Sequence, residues 1–298
     1  MAVNIFLLIG CWFMVDSPFR PERIAKLYAQ VLWYSIPITL AMWAIGEHGS
    51  VRNVIQGLVP FFGRSVWFAS AYISLIALSP FLNRVFLLSL RDLRRLMLLL
   101  AVLYGIVSTI PNFSPIDYVA DFTWFCVVYL FVGWAKRERL FDRLPEAKAC
   151  LALSLLAYCA VSFATCWTSA RPLTIYWMSN IKSLPSFLIA LFAFVGFLKL
   201  DIGTKPIVNF AARSVFAVYI VHQIPAFMNF EWHTIFKVDS VATMSCAHRA
   251  ACIVLITLSV LLCASLVDLI RLRLEKAYLQ TRPFVWLTKK LYALLTEK

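Results

Sequence analysis

Residues Ser214–Phe227 read SVFAVYIVHQIPAF, an apolar run with a histidine, His222, inside it. Such a run suits a membrane-spanning helix, and a titratable ring within hydrocarbon is costly. An ionisable side chain at that depth therefore faces a bundle interior or a wet cavity. His222 lies eight residues past Ser214, so at 1.5 Å per residue it sits ~12 Å along the helix, near the bilayer midplane. An imidazole there can act as a general base or as an orienting donor. The structural alternative is a neutral ring hydrogen-bonded to a neighbouring helix.

The rest of the chain agrees with the membrane reading. Of 298 residues 62% are hydrophobic, only 14% are charged, and the mean hydropathy is +0.80. A soluble domain carries about 25% charged residues. Apolar runs long enough to cross or nearly cross fall at nine places: 2–15, 27–46, 66–88, 96–110, 118–135, 149–167, 184–200, 214–230 and 250–270. The expected fold is thus all-α, a polytopic transmembrane helix bundle of about nine spans. No internal repeat or linker divides it. Residues 1–270 form one membrane domain, and 271–298 read as a cytoplasmic amphipathic tail with Trp286, Leu287, Leu291, Tyr292 and Leu295 at helical spacing.

The net charge of +13 does not point to nucleic acid, because the basic residues cluster between apolar runs. Segments 16–26, 84–95, 136–148, 199–213 and 271–298 hold 22 of the 28 Lys and Arg. The segments between them, 47–65, 111–117, 168–183 and 231–249, hold 6. The positive-inside rule makes the first set cytoplasmic and places the C-terminus inside. Nine spans then leave Met1 outside.

The eight cysteines lie mostly within apolar runs without a C-x-x-C pair, which reads as buried small hydrophobes. Glu231-x-His233 and Cys246-x-His248 match no standard zinc spacing. Glu47, His48, Asp117, Asp121 and Asp239 fall in the sparsely basic loops, where Glu47–His48 offers a polar-acceptor site or simply a solvated turn. Arg20 and Arg23, in DSPFRPER (16–23), share a helix face. They suit a bidentate grip on phosphate, or serve only as topological charges. Trp67 and Phe68 read as an interfacial belt, Tyr72 as a deeper hydrogen-bonding group, and Pro80 as a kink.

Four stretches together resemble the bacterial membrane-bound acyltransferase family 3. They are VNIFLLIGCWFM (3–14), LYAQVLWYS (27–35), VWFASAYISLIALSPFLN (66–83) and ARSVFAVYIVHQIP (212–225). The resemblance implies a multi-pass protein of the bacterial inner membrane. It would carry an acyl group, often acetyl, from cytoplasmic acyl-CoA to a hydroxyl of a surface carbohydrate or lipid-linked sugar. Acyl-CoA is then a co-substrate, with no other cofactor and no metal. Arg20 and Arg23 match the family's R-x-x-R motif and would bind CoA phosphates. His222 matches its late histidine in a supporting role, and Asn4, Trp67, Tyr72, Ser214 and Tyr219 would line the pocket.

Two departures stand out. Gly10-Cys11 replaces the family's Ser-Gly pair. The family also has ten spans, the first bearing an arginine and, eleven residues or ~16 Å later, the histidine taken as base. No such helix precedes Asn4. With Met1 placed outside, this predicts a missing first helix, through a misplaced start or truncation, or else a nine-span product with little transfer activity. The alternatives are a transporter or flippase for lipid-linked sugars, which would neither bind nor hydrolyse acyl-CoA, and a catalytically dead scaffold indifferent to loss of the two arginines.

Overall fold

The computed structural model describes residues 1–62, 66–110, 121–169 and 180–296. Asp117 and the start of the run at 118–135 lie outside the described residues. Fourteen α-helices follow in order among the described residues: α1 (Ala2–Val15), α2 (Pro21–Ala44), α3 (Val51–Leu58), α4 (Trp67–Leu82), α5 (Leu90–Leu100), α6 (Asp121–Arg137), α7 (Leu140–Arg143), α8 (Ala147–Ser169), α9 (Leu184–Leu198), α10 (Pro206–His222), α11 (Pro225–Asn229), α12 (Val238–Ala242), α13 (Cys246–Leu279) and α14 (Arg282–Thr296). No strand occurs among these residues, so the fold is all-helical.

Three helices are long and apolar enough to cross a membrane by themselves: Trp67–Leu87, Ala147–Thr168 and Cys246–Glu275. Val208–His222 and Pro225–Ile235 together form a pair bent by 84°, a broken span or a re-entrant loop. α1 and α9 are apolar but shorter. Along α13, Ile253, Val254, Leu255, Leu258, Leu262 and Leu266 are each more than half exposed. A continuous face of that kind is untenable in water and natural in lipid. The chain is a membrane protein.

The chain divides into two compact units. The first comprises Met1–Phe19 and Ser74–Ile202. Here α1 packs on α6 and α9, and α8 packs along α9. Polar bonds fix these contacts. The buried Asn4 amide accepts from Trp124 Nε1 on α6 at 2.9 Å and donates to the Ile181 carbonyl at 2.9 Å. Ser154 on α8 donates to the Ile189 carbonyl on α9 at 2.9 Å. In hydrocarbon the apolar effect does not press helices together, so such bonds and close packing carry more of the association. α4 runs unbroken through Pro80, whose missing N–H frees the Ile76 carbonyl; the Ser79 hydroxyl donates to it at 2.8 Å. Outside the apolar runs, Arg94 holds Glu138 by two bonds of 3.2 and 2.7 Å, tying α5 to the end of α6.

The second unit comprises Arg20–Ile73 and Gly203–Lys298. Its core gathers Val31, Tyr34 and Met42 of α2, Ala69 of α4, and Ala217 and Ile220 of α10. Beside it lies a buried polar knot. Asp268 of α13, fully buried, accepts from Tyr34 Oη on α2, from Ser214 Oγ on α10 at 3.2 Å, and from Arg271 Nε at 2.5 Å. Arg271 also donates to Glu275 at 2.7 Å, and Glu275 meets Lys26 of α2 at 3.4 Å. α13 continues through residue 271 to Leu279, and α14 packs against α2 with Trp286 and Tyr292 exposed. The side chains of Leu287, Leu291 and Leu295 lie outside the described residues, as does Lys298.

Two predictions follow from these contacts. Asp268→Leu leaves the buried Arg271 guanidinium with Glu275 as its remaining carboxylate and strands the Tyr34 and Ser214 hydroxyls, which together costs about 3–5 kcal/mol. Thermal unfolding in detergent should show a large loss for Asp268→Leu, and Asp268→Leu with Arg271→Met should recover part of it, the stranded Tyr34 and Ser214 hydroxyls keeping the rest. The hydrogen bond and charge of Arg94 hold the Glu138 carboxyl below its ordinary value. Its contribution is therefore complete above the usual carboxylate range and is lost as pH falls through the lowered value. Between pH 7 and pH 3 the melting temperature of Glu138→Gln should fall less than that of the wild-type protein.

Candidate active site

His222 is the last residue of α10, and Pro225 opens α11 two residues later. Proline cannot continue a helical ladder, and it restricts the residue before it. The helix therefore stops at the histidine, and Ile224 turns extended. The chain then bends back through α11 into a π-turn, Phe230–Ile235. That wider turn carries Glu231 and Trp232 to the histidine. Glu231 Oε1 lies 3.6 Å from His222 Nε2, and the Trp232 ring centroid lies 5.4 Å from the imidazole.

The hydrogen bonding settles the ring's orientation. His222 Nδ1 sits 2.7 Å from the Val218 carbonyl. A carbonyl only accepts, so Nδ1 carries a hydrogen and Nε2 is left to face Glu231. Glu231 is 4% exposed, and its Oε2 is buried without a hydrogen-bond partner among the described residues. The ring lines a cavity of about 520 Å³, apolar along Val218, Ile253, Ile256 and Leu261 and bounded by Trp232 and Arg249.

The remaining expected site residues are distributed as follows. Arg20 is the exposed N-cap of α2, and Arg23, half-buried in the first turn, donates its backbone N–H to the Arg20 carbonyl at 3.1 Å. Neither guanidinium has a hydrogen bond or ion pair among the described residues. Both stand at a helix N-terminus, whose dipole also favours anions. Tyr219 Oη accepts the Phe68 N–H at 3.0 Å, filling one of the donors left open at the start of α4. Tyr72 stacks on Phe68 at 5.9 Å, and Trp67 meets Phe68 edge-on at 6.1 Å. Ser214 is engaged by Asp268 rather than lining the His222 cavity. Asn4 belongs to the first unit, in its bridge between Trp124 and Ile181.

Glu231 is the residue that sequence reasoning left in a loop. The available signal was Gln223-Ile224-Pro225, a break that brings a residue nine positions on back to His222. Glu231 and His233 do not share a ligand set: Glu231 faces His222, and His233 Nδ1 faces Asp239 at 2.7 Å. Among the described residues no three His, Cys, Asp or Glu side chains converge as metal ligands.

Comparison with known proteins adds one match. The family model described as an acyltransferase domain, that of acyltransferase family 3, matches residues 1–267. No curated protein and no solved structure matches. The matched region takes in α1, the arginine pair at the start of α2 and the His222–Glu231 break, and the chain belongs to acyltransferase family 3.

Proposed function

We propose that this protein transfers an acyl group, acetyl foremost, from acyl-CoA to a hydroxyl of a cell-surface carbohydrate or its lipid-linked precursor. The observation that carries the reading is the His222–Glu231 pair, held at the break of a bent helix pair beside a cavity in a member of an acyltransferase family. The proposed setting is a bacterial inner membrane crossed about nine times, with the cationic segments and the C-terminus cytoplasmic. The unpaired Arg20 and Arg23 would then meet the phosphates of CoA from that side.

The proton steps follow from the orientation of the ring. With Nδ1–H committed to Val218 O, Nε2 of the neutral ring holds the free lone pair and takes the acceptor hydroxyl's proton. The oxygen attacks the thioester carbonyl carbon, the carbon–sulfur bond breaks, and the ester forms. The departing thiolate takes up the proton from the imidazolium. While the ring is charged, Glu231, 3.6 Å away, balances it. Removing a general base of this kind costs typically 10²–10⁴-fold in rate.

Donor binding is the test. Each charge-assisted hydrogen bond to phosphate is worth about 1.5–3 kcal/mol, and two lost bonds weaken binding about 100-fold or more. Arg20→Ala with Arg23→Ala should therefore abolish measurable acetyl-CoA binding to the purified protein at micromolar concentrations, while the melting temperature stays near that of the wild type. Unchanged binding would remove the arginines from the donor site. No binding by the wild-type protein would favour a transporter or a scaffold.

A further inference from the structure

A second cavity, of about 380 Å³, opens within the second unit between the Glu47–His48 turn and the bent segment after Pro225. Its volume is in the range of small-molecule sites, ~300–1,000 Å³. The walls carry Glu47, His48, Asn53, Asn229, His233 and Thr234 around the ring of Phe230. Two features show that the cavity is built rather than a gap. Gly46 and Gly49, at φ +78° and +69°, flank Glu47 and His48 in a left-handed conformation that other residues rarely adopt. A side chain at Gly49 would also come within 2.9 Å of Asn53 Nδ2. In addition, His48 Nδ1 is buried without a hydrogen-bond partner among the described residues. A buried ring nitrogen left open in this way is costly unless something fills its valence.

The chemistry of the walls restricts the occupant. No Lys or Arg stands among the lining residues, which argues against a phosphate or nucleotide. The aromatic cage of a quaternary ammonium site is absent, since Phe230 is the one aromatic carbocycle lining it. What remains is a dense mixture of donors and acceptors: two carboxamides, a hydroxyl, a carboxylate and two imidazoles. His233 is oriented by Asp239, which takes its Nδ1–H at 2.7 Å and leaves Nε2 for a ligand. Neighbouring hydroxyls that each donate and accept, on a ring with an apolar C–H face to lie against Phe230, match this set.

We propose that this cavity binds an uncharged polyhydroxylated ring and seats the sugar portion of the acceptor. Its role, though not its binding, rests on the acyl-transfer reading. The connection to His222 is covalent and short. The π-turn that contributes Phe230, His233 and Thr234 to this cavity, with Asn229 immediately before it, is the same one that presents Glu231 and Trp232 to His222. A sugar held by one face of the turn is thereby tied to the proton-carrying pair on the other. The π-turn, a rare form concentrated at functional sites, is what allows successive residues to serve both sides.

The test uses full-length protein in nanodiscs and saturation-transfer NMR, with the methyl glycosides of glucose, galactose, mannose and N-acetylglucosamine as probes. At least one glycoside should receive saturation from the wild-type protein, and Asn229→Leu and Glu47→Gln should each weaken its binding about tenfold. Both variants should leave acetyl-CoA binding and the melting temperature unchanged. Thr234→Val, at an exposed position, serves as a third variant if either of the others fails to fold. Saturation of none of the four glycosides, or saturation that folded variants do not diminish, overturns the proposal. Glycoside binding without acetyl-CoA binding would keep the cavity and discard acyl transfer. Acetyl-CoA binding without glycoside binding would do the reverse.

Discussion

One buried carboxylate sets the geometry of the second unit. Asp268 accepts bonds from Tyr34, Ser214 and Arg271, and so joins α2, α10 and α13 at a single point. A carboxylate in a membrane helix is expensive alone and tolerable only when its oxygens are filled. Here three donors fill them, and Arg271 is in turn balanced by Glu275. Fixing α10 at Ser214 fixes where its other end falls. That end is His222, so the structural charge cluster positions the candidate catalytic ring without touching it.

The two polar centres on α10 do different work because their surroundings differ. At Ser214 every polar atom described has a partner, and the cluster behaves as a lock. At His222 the arrangement is open: Nε2 faces a carboxyl at 3.6 Å, longer than a hydrogen bond, and the carboxyl's other oxygen has no partner among the described residues. Open valences beside a cavity are what a reacting group requires, and a fully satisfied network offers none. The helix break supplies the opening, since a continuous helix would carry Glu231 away along its axis rather than fold it back.

Much of the architecture was legible in local sequence. The run at 149–167 became α8, the run at 250–270 lies within α13, and the tail's periodicity became α14, because each pattern is set by near neighbours. The run at 96–110 was less faithful: α5 gives way there to a π-turn and then a 3₁₀ turn. The run at 214–230 hides a break that hydropathy cannot register and that only Pro225 announces. Tyr34 and Asp268 lie 234 positions apart, and Asn4 and Trp124 lie 120 apart. No periodicity joins such residues, so the bonds by which Ser214 and Asn4 hold helices together were not readable in the sequence.

The central claim is that His222, turned toward Glu231 at the helix break, moves the acceptor's proton during acyl transfer. The most direct measurement is release of free CoA thiol from acetyl-CoA by purified full-length protein in nanodiscs, with a lipid-linked sugar fraction supplied as acceptor. The account predicts saturable, acceptor-dependent release that His222→Gln lowers about 100-fold while acetyl-CoA binding persists. Release by His222→Gln at the wild-type rate would contradict it.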